Sequence, residues 1–172
     1  VGVTGAMNTS STLVTASRGI SNASVPSGSV IQVQSTDLTT YTSTTSTSFV
    51  DLGLSVSITP TSSTSKFYVI FSGGTTSQAS NGTAIYNLVR NGTNIAQPTS
   101  GGNNPATINF WNGNTPAGVN IFKAYLDSPA TTSALTYKIQ WRVDGGTGYF
   151  NRHISNTDYN TMATLFVMEI AQ

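Results

Sequence analysis

The stretch TYKIQWRVD, residues 136–144, decides the fold of this chain. Apolar and polar side chains alternate along it: Tyr137, Ile139, Trp141 and Val143 on one side, and Lys138, Gln140, Arg142 and Asp144 on the other. Successive side chains of a β-strand point to opposite faces, so a period of two predicts a strand with one face buried and the other in water. An amphipathic helix would instead place its apolar residues three or four apart.

The same period recurs on the N-terminal side of this stretch. Leu52–Ile58 alternates apolar with small residues, and Phe67–Phe71 is apolar on both faces, which predicts a central strand that ends at Gly73-Gly74. Asn91-Gly92 follows the apolar run Ala84–Arg90 and predicts a two-residue type I′ hairpin, because both residues tolerate positive φ. Further strands are predicted at Val30–Val33, Tyr41–Thr47, Thr93–Ala96, Ile108–Trp111, Val119–Leu126, Thr136–Val143, Gly148–Arg152 and Ala163–Ile170.

Turn residues separate these short strands at regular intervals, and no stretch has the pattern of a strong helix. The chain is therefore predicted to be all-β, an antiparallel, jelly-roll-like β-sandwich over residues 29–172. Residues 1–28 have neither a strand nor a helix period, and are expected to form an extended arm or linker. Apolar residues of this arm would be costly to leave in water, so we expect them to bind a partner: Val3, Met7, Leu13, Val14 and Ile20.

The composition is unusually poor in charge. Only 8% of the residues are charged and the net charge is +1, whereas about a quarter of an average domain is charged. Roughly three residues in ten are Ser or Thr, which indicates an exposed scaffold rather than a cytosolic enzyme. No basic stripe for nucleic acid and no apolar run long enough for membrane insertion is present. The absence of Cys excludes disulfides and thiolate metal sites.

No motif in the sequence indicates catalysis. His153 is the single histidine and has no partners at metal-ligand spacing, so no metal site and no cofactor are expected. A Gly-x-Ser-x-Gly nucleophile motif is absent. Asp127 and Asp144, the acids considered for glycoside hydrolysis, stand at strand ends beside Pro or Gly, where turn formation explains them. We therefore predict a non-enzymatic protein with no catalytic residue.

Clusters of aromatic and amide side chains indicate a different role, contact with carbohydrate. Sugars stack on aromatic rings, while amide and charged groups bond their hydroxyls. The candidate glycan contacts are Trp111, Asn112, Asn114, Tyr149, Arg152, His153 and Tyr159. The alternative is that Trp111 and Phe150 belong to the core and that the Asn residues form turns.

Four segments together resemble a domain found near the C-termini of tail-fibre and other virion structural proteins of tailed phages, particularly marine and cyanobacterial ones. They are Pro26–Val33, Thr47–Pro60, Ser65–Phe71 and Leu88–Thr93. The resemblance spans residues 26–96 well, and the strands up to Ile170 more loosely. It implies a trimeric module on the virion surface that often contacts host envelope carbohydrate, and it transfers no catalytic residue.

The sequence thus predicts a homotrimeric tail-fibre or spike tip on the surface of a phage particle, displayed for attachment to host glycan. Tail fibres usually carry a long shaft before this domain, so a complete chain of this length is expected to attach to other virion proteins by residues 1–28 alone. Three alternatives stay open: a capsid decoration protein anchored by the arm, a carbohydrate-binding module of a secreted enzyme, and a hydrolase.

Overall fold

The computed structural model describes residues 25–78, 82–99, 105–112 and 118–172, and every regular element within them is a β-strand. The strands are β1 Val30–Leu38, β2 Thr42–Thr44, β3 Val50–Ile58, β4 Lys66–Gln78, β5 Gly82–Arg90, β6 Thr93–Ile95, β7 Ile108–Asn112, β8 Val119–Asp127, β9 Leu135–Val143, β10 Gly148–Phe150 and β11 Ala163–Ile170. No helix in these ranges is long and apolar enough to cross a membrane. The first 24 residues of the predicted arm, with all five of its candidate contacts, lie outside the described residues.

The strands form two antiparallel sheets that pack face to face. Sheet A has the order β1-β11-β4-β8, and the short strands β10 and β2 continue it beside the end of β4. Sheet B has the order β3-β9-β5, with β7 and β6 sharing the other edge of β5. Without the three-residue strands β2, β6 and β10, this is the eight-strand order of a jelly roll. The predicted fold class is confirmed.

The core lies between the two sheets and is rich in aromatic rings. The apolar side of TYKIQWRVD faces it, with Tyr137, Ile139, Trp141 and Val143 all buried, as predicted. Trp141 stacks on Tyr86 at 5.9 Å between ring centroids, and Phe150 packs against both rings at 6.1–6.2 Å. Such aromatic pairs add roughly 1 kcal/mol each beyond the burial of their area.

Strand β4 corrects one prediction. Gly73-Gly74 does not end the strand, which runs on to Gln78 through a β-bulge opposite β8. Both glycines have positive φ, +84° and +72°, a region that other residues rarely adopt. A Cβ on Gly74 would lie 2.3 Å from the Phe150 ring. The bulge therefore lets β4 pair first with β11 and then with β10, while Phe150 enters the core.

Two further predictions concern turns and strand length. Asn91 and Gly92 have φ of 47° and 84° and join β5 to β6, which confirms the predicted hairpin. The strand predicted over Tyr41–Thr47 is shorter, because only Thr42–Thr44 pairs with β10. High β propensity alone did not fix its ends, since propensity depends on an available partner strand.

Candidate functional site

The loop that follows β10, residues 151–162, is called the Arg152 loop here; it holds three of the predicted glycan contacts, and a fourth, Tyr149, is on β10. It begins at Asn151, which is buried in the left-handed conformation at φ 62°. Asn tolerates this conformation better than most residues. The Asn151 amide donates to the carbonyls of Leu38 (2.8 Å) and Thr40 (3.1 Å), and its backbone N–H donates to Thr75 (2.8 Å). The start of the loop is therefore fixed to β1 and β4.

The Arg152 guanidinium lies between two tyrosine rings. Its Cζ atom is 4.5 Å from the ring centroid of Tyr149 and 5.3 Å from that of Tyr41. Nε donates to the carbonyl of His153 at 3.0 Å. Cation–π contacts of this kind contribute about 0.5–1 kcal/mol each at exposed sites. The stack holds two aromatic faces and one cation at the same end of sheet A.

His153 and Tyr159 close the loop beside this stack. The backbone N–H of His153 donates to the Tyr159 carbonyl at 3.1 Å. The backbones of Arg152 and Asn160 form an isolated antiparallel β-bridge. The Ser155 N–H donates to His153 Nδ1 at 3.3 Å, and the Ser155 hydroxyl lies 3.1 Å from the same nitrogen. The Tyr159 side chain is 69% exposed. Backbone pairing thus closes the loop that carries Arg152, His153 and Tyr159, and Arg152 contacts Tyr149 on the preceding strand.

The other predicted contacts lie on sheet B or outside the described residues. Trp111 stands on β7, at the edge of sheet B, and its side chain is 66% exposed, so it is not a core residue. Phe150, its companion in the core alternative, is fully buried. Asn112 ends β7, and Asn114 is outside the described residues. Trp111 therefore lies on sheet B, whereas the Arg152 loop follows a strand of sheet A.

A polar groove on the outer face of sheet B was missed by the sequence analysis. Its volume is about 520 Å³, and Thr47, Ser48, Phe49, Asn87, Asn94, Gln97, Pro105 and Arg142 line it. Asn87 is only 1% exposed. Gln97 Nε2 donates to Asn87 Oδ1 at 3.0 Å, while Asn87 Nδ2 has no hydrogen-bond partner among the described residues. No sequence signal marked this residue, because it stands within an apolar run.

The two acids considered for hydrolysis are engaged elsewhere and lie far apart. Asp127 is buried, with Arg90 Nη1 at 2.5 Å from both carboxylate oxygens and the Tyr137 hydroxyl donating at 2.8 Å. Burial raises the pKa of Tyr137, and the hydrogen bond to Asp127 raises that pKa further. Asp144 accepts from the Thr83 N–H at the opposite end of β9. Seven strand residues span about 23 Å, whereas paired glycosidase carboxylates stand about 5–10 Å apart.

The remaining described carboxylates do not gather into a centre either. Within the described ranges, no three His, Asp or Glu side chains are close enough to hold a metal ion together. No protein-family model matches the chain, and no curated protein matches it.

Proposed function

We propose that this chain is a non-enzymatic structural protein of a phage virion, a homotrimeric fibre or spike tip that attaches the particle to host glycan. The resemblance of residues 26–96 to tail-fibre domains supports the virion origin. The jelly roll supports it as well, since this fold is frequent among viral capsid and lectin domains. Fold alone does not define function, so the attachment role depends on the site.

The observation that carries the attachment role is the Arg152 loop. Tyr41 exposes half of its surface and contacts the Arg152 guanidinium, and the exposed Tyr159 lies on the same loop, with its carbonyl bonded to the His153 N–H. Aromatic rings offer flat apolar surfaces to the C–H faces of a sugar, and Arg and His supply hydrogen-bond donors for its hydroxyls. The Tyr41 and Tyr149 rings are held by cation–π contacts with Arg152, and the loop is held by backbone hydrogen bonds, so little ordering entropy would oppose binding.

Binding of the full chain to purified host surface polysaccharide tests this role. We expect Arg152→Ala and Tyr159→Ala to weaken binding about tenfold or more each, since loss of a buried stacking or charged contact costs at least about 1.4 kcal/mol. Lys138→Ala, a partly exposed position on the outer face of sheet B, is the matched control and should leave binding unchanged. Unaltered binding in both loop variants would contradict the site, and loss in Trp111→Ala alone would move it to β7.

Immunogold electron microscopy of purified particles tests the virion origin separately. Label at the tail tips is the expected result. Label spread over the head would favour the decoration protein instead, and unlabelled particles would contradict a virion role. Release of reducing sugar ends from the polysaccharide would contradict the non-enzymatic assignment.

A further inference from the structure

The outer face of sheet A, the side turned away from the core, is apolar across four strands. Along β4, β8 and β11 the buried side chains alternate with side chains on this outer face. We call the following ten residues the apolar face: Val30 and Val33 on β1, Phe166, Met168 and Ile170 on β11, Tyr68 and Ile70 on β4, and Phe122, Ala124 and Leu126 on β8. The sequence Phe67–Phe71, which is apolar on both faces, already indicates part of this pattern.

Strand register makes the apolar face continuous. One cross-strand row consists of Val33, Met168, Tyr68 and Leu126, and the next of Ser35, Phe166, Ile70 and Ala124. Charged groups stand only in the outermost of the four rows, Lys66 beside Ile170 and Asp37 beside Thr164. Directly opposite side chains of adjacent strands are within contact distance of each other. The centre of the face is therefore free of charge.

Large side chains of this face remain open to water in the single chain. Phe122 is 66% exposed, Leu126 50% and Val33 49%. With strands about 4.8 Å apart and about 3.3 Å per residue, four strands of eight residues cover roughly 500 Å². Soluble monomers rarely expose contiguous apolar patches beyond a few hundred Å², and larger patches usually mark an interaction surface.

We propose that the apolar face is the surface through which copies of this chain associate, an inference that rests on the homotrimer in the proposed function. Around a three-fold axis, each copy would share its face between two neighbours, so three faces of roughly 500 Å² each would bury about 1,500 Å² in total. Interfaces of homo-oligomers are apolar and poor in charge at their centre, as this face is. Lys66 and Asp37 carry opposite charges in opposite outer rows, so a cyclic trimer in which one end of the face meets the other end on the next copy brings opposite charges together.

The chain's own N-terminal residues fit this face less well than a second copy does. Residues 1–24 precede β1 and are long enough to reach the face, at about 3.3 Å per extended residue. Their apolar residues, however, do not alternate, so one extended pass would not present a continuous apolar side. One strand also covers about 5 Å of width, whereas the four strands span roughly 19 Å. A face that is roughly 19 Å wide is instead matched by the equally wide faces of other copies of this chain.

Sedimentation velocity on the full chain tests the proposal. We expect a species of three times the chain mass at micromolar concentration. Leu126→Glu should raise the dissociation constant at least about a hundredfold, because a carboxylate buried without a partner is strongly unfavourable. Ser55→Glu places the same charge on the outer face of sheet B and should leave the trimer intact. Far-ultraviolet circular dichroism verifies that both variants keep the β fold.

The outcomes separate this inference from the proposed function. A trimer that persists in Leu126→Glu and in Phe122→Glu would overturn the apolar face as the interface and leave the homotrimer standing. A wild-type monomer at all concentrations would overturn both, while glycan binding keeps its own test.

Thiol labelling distinguishes a second copy from the N-terminal segment, because the chain has no cysteine of its own. In the trimer, the Leu126→Cys variant should react at least about tenfold more slowly than Ser55→Cys, and dilution to monomers should remove the difference. Protection that persists in the monomer would mean that residues 1–24 cover the face, and would overturn the proposal.

Discussion

The outer faces of sheets A and B cover the same core but differ in chemistry. On sheet B, Lys138 pairs with Asp51 (2.8 Å), and the Ser57 and Thr136 hydroxyls share a hydrogen bond at 3.1 Å. On sheet A, the corresponding surface is the apolar face. A sandwich requires only its inward faces to be apolar. Packing among the described residues of the single chain therefore does not explain the apolar face.

Sheet B shows how one chain covers apolar residues that point outward. Ile85 and Val89 are on the outward side of β5 and yet are buried. Ile85 lies between Arg142 and Asn109 in register, and Val89 between Lys138 and Asn94. Long side chains can bury their stems on such residues while their polar ends stay in water. On sheet A, no side chain in the described part of the chain buries Leu126 and Phe122 in this way: they are 50% and 66% exposed on the edge strand β8.

The largest expected loss of stability comes from breaking the ion pair that joins sheet A to sheet B. Arg90 of sheet B holds the buried Asp127 of sheet A, so Arg90→Ala would leave a buried carboxylate without its cation. We expect the free energy of unfolding to fall by about 3–5 kcal/mol, measured by urea denaturation at fixed protein concentration. Arg142→Ala, on the outer face of sheet B, is the control and should lose no more than about 1 kcal/mol. A loss below that in Arg90→Ala would contradict the role of this ion pair.

An intermediate effect is expected at Glu169, which is buried on the inward side of β11. It accepts from Gln32 Nε2 (2.6 Å) and from the N–H and hydroxyl of Thr61 (both 2.7 Å). Glu169→Gln would set an amide N–H₂ against these donors. The free energy of unfolding should fall by about 1–3 kcal/mol, and equal stability of the two proteins at pH 7 would contradict this prediction.

The same carboxylate predicts a pH dependence. Burial raises the pKa of Glu169, but the hydrogen bonds from Gln32 and Thr61 outweigh burial and hold that pKa below 4.5. A lowered folded-state pKa gives stability that is present above the unfolded value and is lost as pH falls through the folded value. Wild-type stability should therefore decline below pH 4.5, and the decline should be smaller in Glu169→Gln. Parallel pH profiles would show that Glu169 does not cause it.

The smallest expected loss of stability concerns the polar outer face of sheet B. The hydrogen bond from Lys138, and then that from Gln140, hold the pKa of Asp51 below 3.8. This pair is on the surface, so Asp51→Asn should cost at most about 1 kcal/mol at neutral pH, and less in high salt. Thermal melts at two salt concentrations measure this, and a larger, salt-independent loss would mean that the face has a structural role we did not assign.

Much of the fold could be predicted because each strand carries its own signal. TYKIQWRVD and Leu52–Ile58 gave their buried faces correctly from period alone. The predicted strand end at Gly73-Gly74 was wrong because glycine is typical both of β-bulges and of strand ends. The ends of β2 depended on its pairing with β10, which no local pattern contains.

The candidate site was predictable only where its residues are near one another in sequence. Tyr149, Arg152, His153 and Tyr159 could be found as a cluster, whereas Tyr41 joins them only through the pairing of β2 with β10. Asn87 stands in a run that reads as core, and its position on the outward face of sheet B follows from the register of β5. Contacts between strands that are distant in sequence depend on strand order and register, which a short stretch of sequence does not indicate.

The bulge in β4 also has a mechanical consequence. The first half of strand β4 contributes Tyr68 and Ile70 to the apolar face. Its second half pairs with β10, next to the Arg152 loop. Tension on that loop would load β10 and β11, the two strands that it joins, and both of them pass the load to β4 through their ladders of hydrogen bonds. Bonds loaded side by side share a pulling force, so a particle tethered through this loop would strain a strand at the centre of the domain before any of its edges.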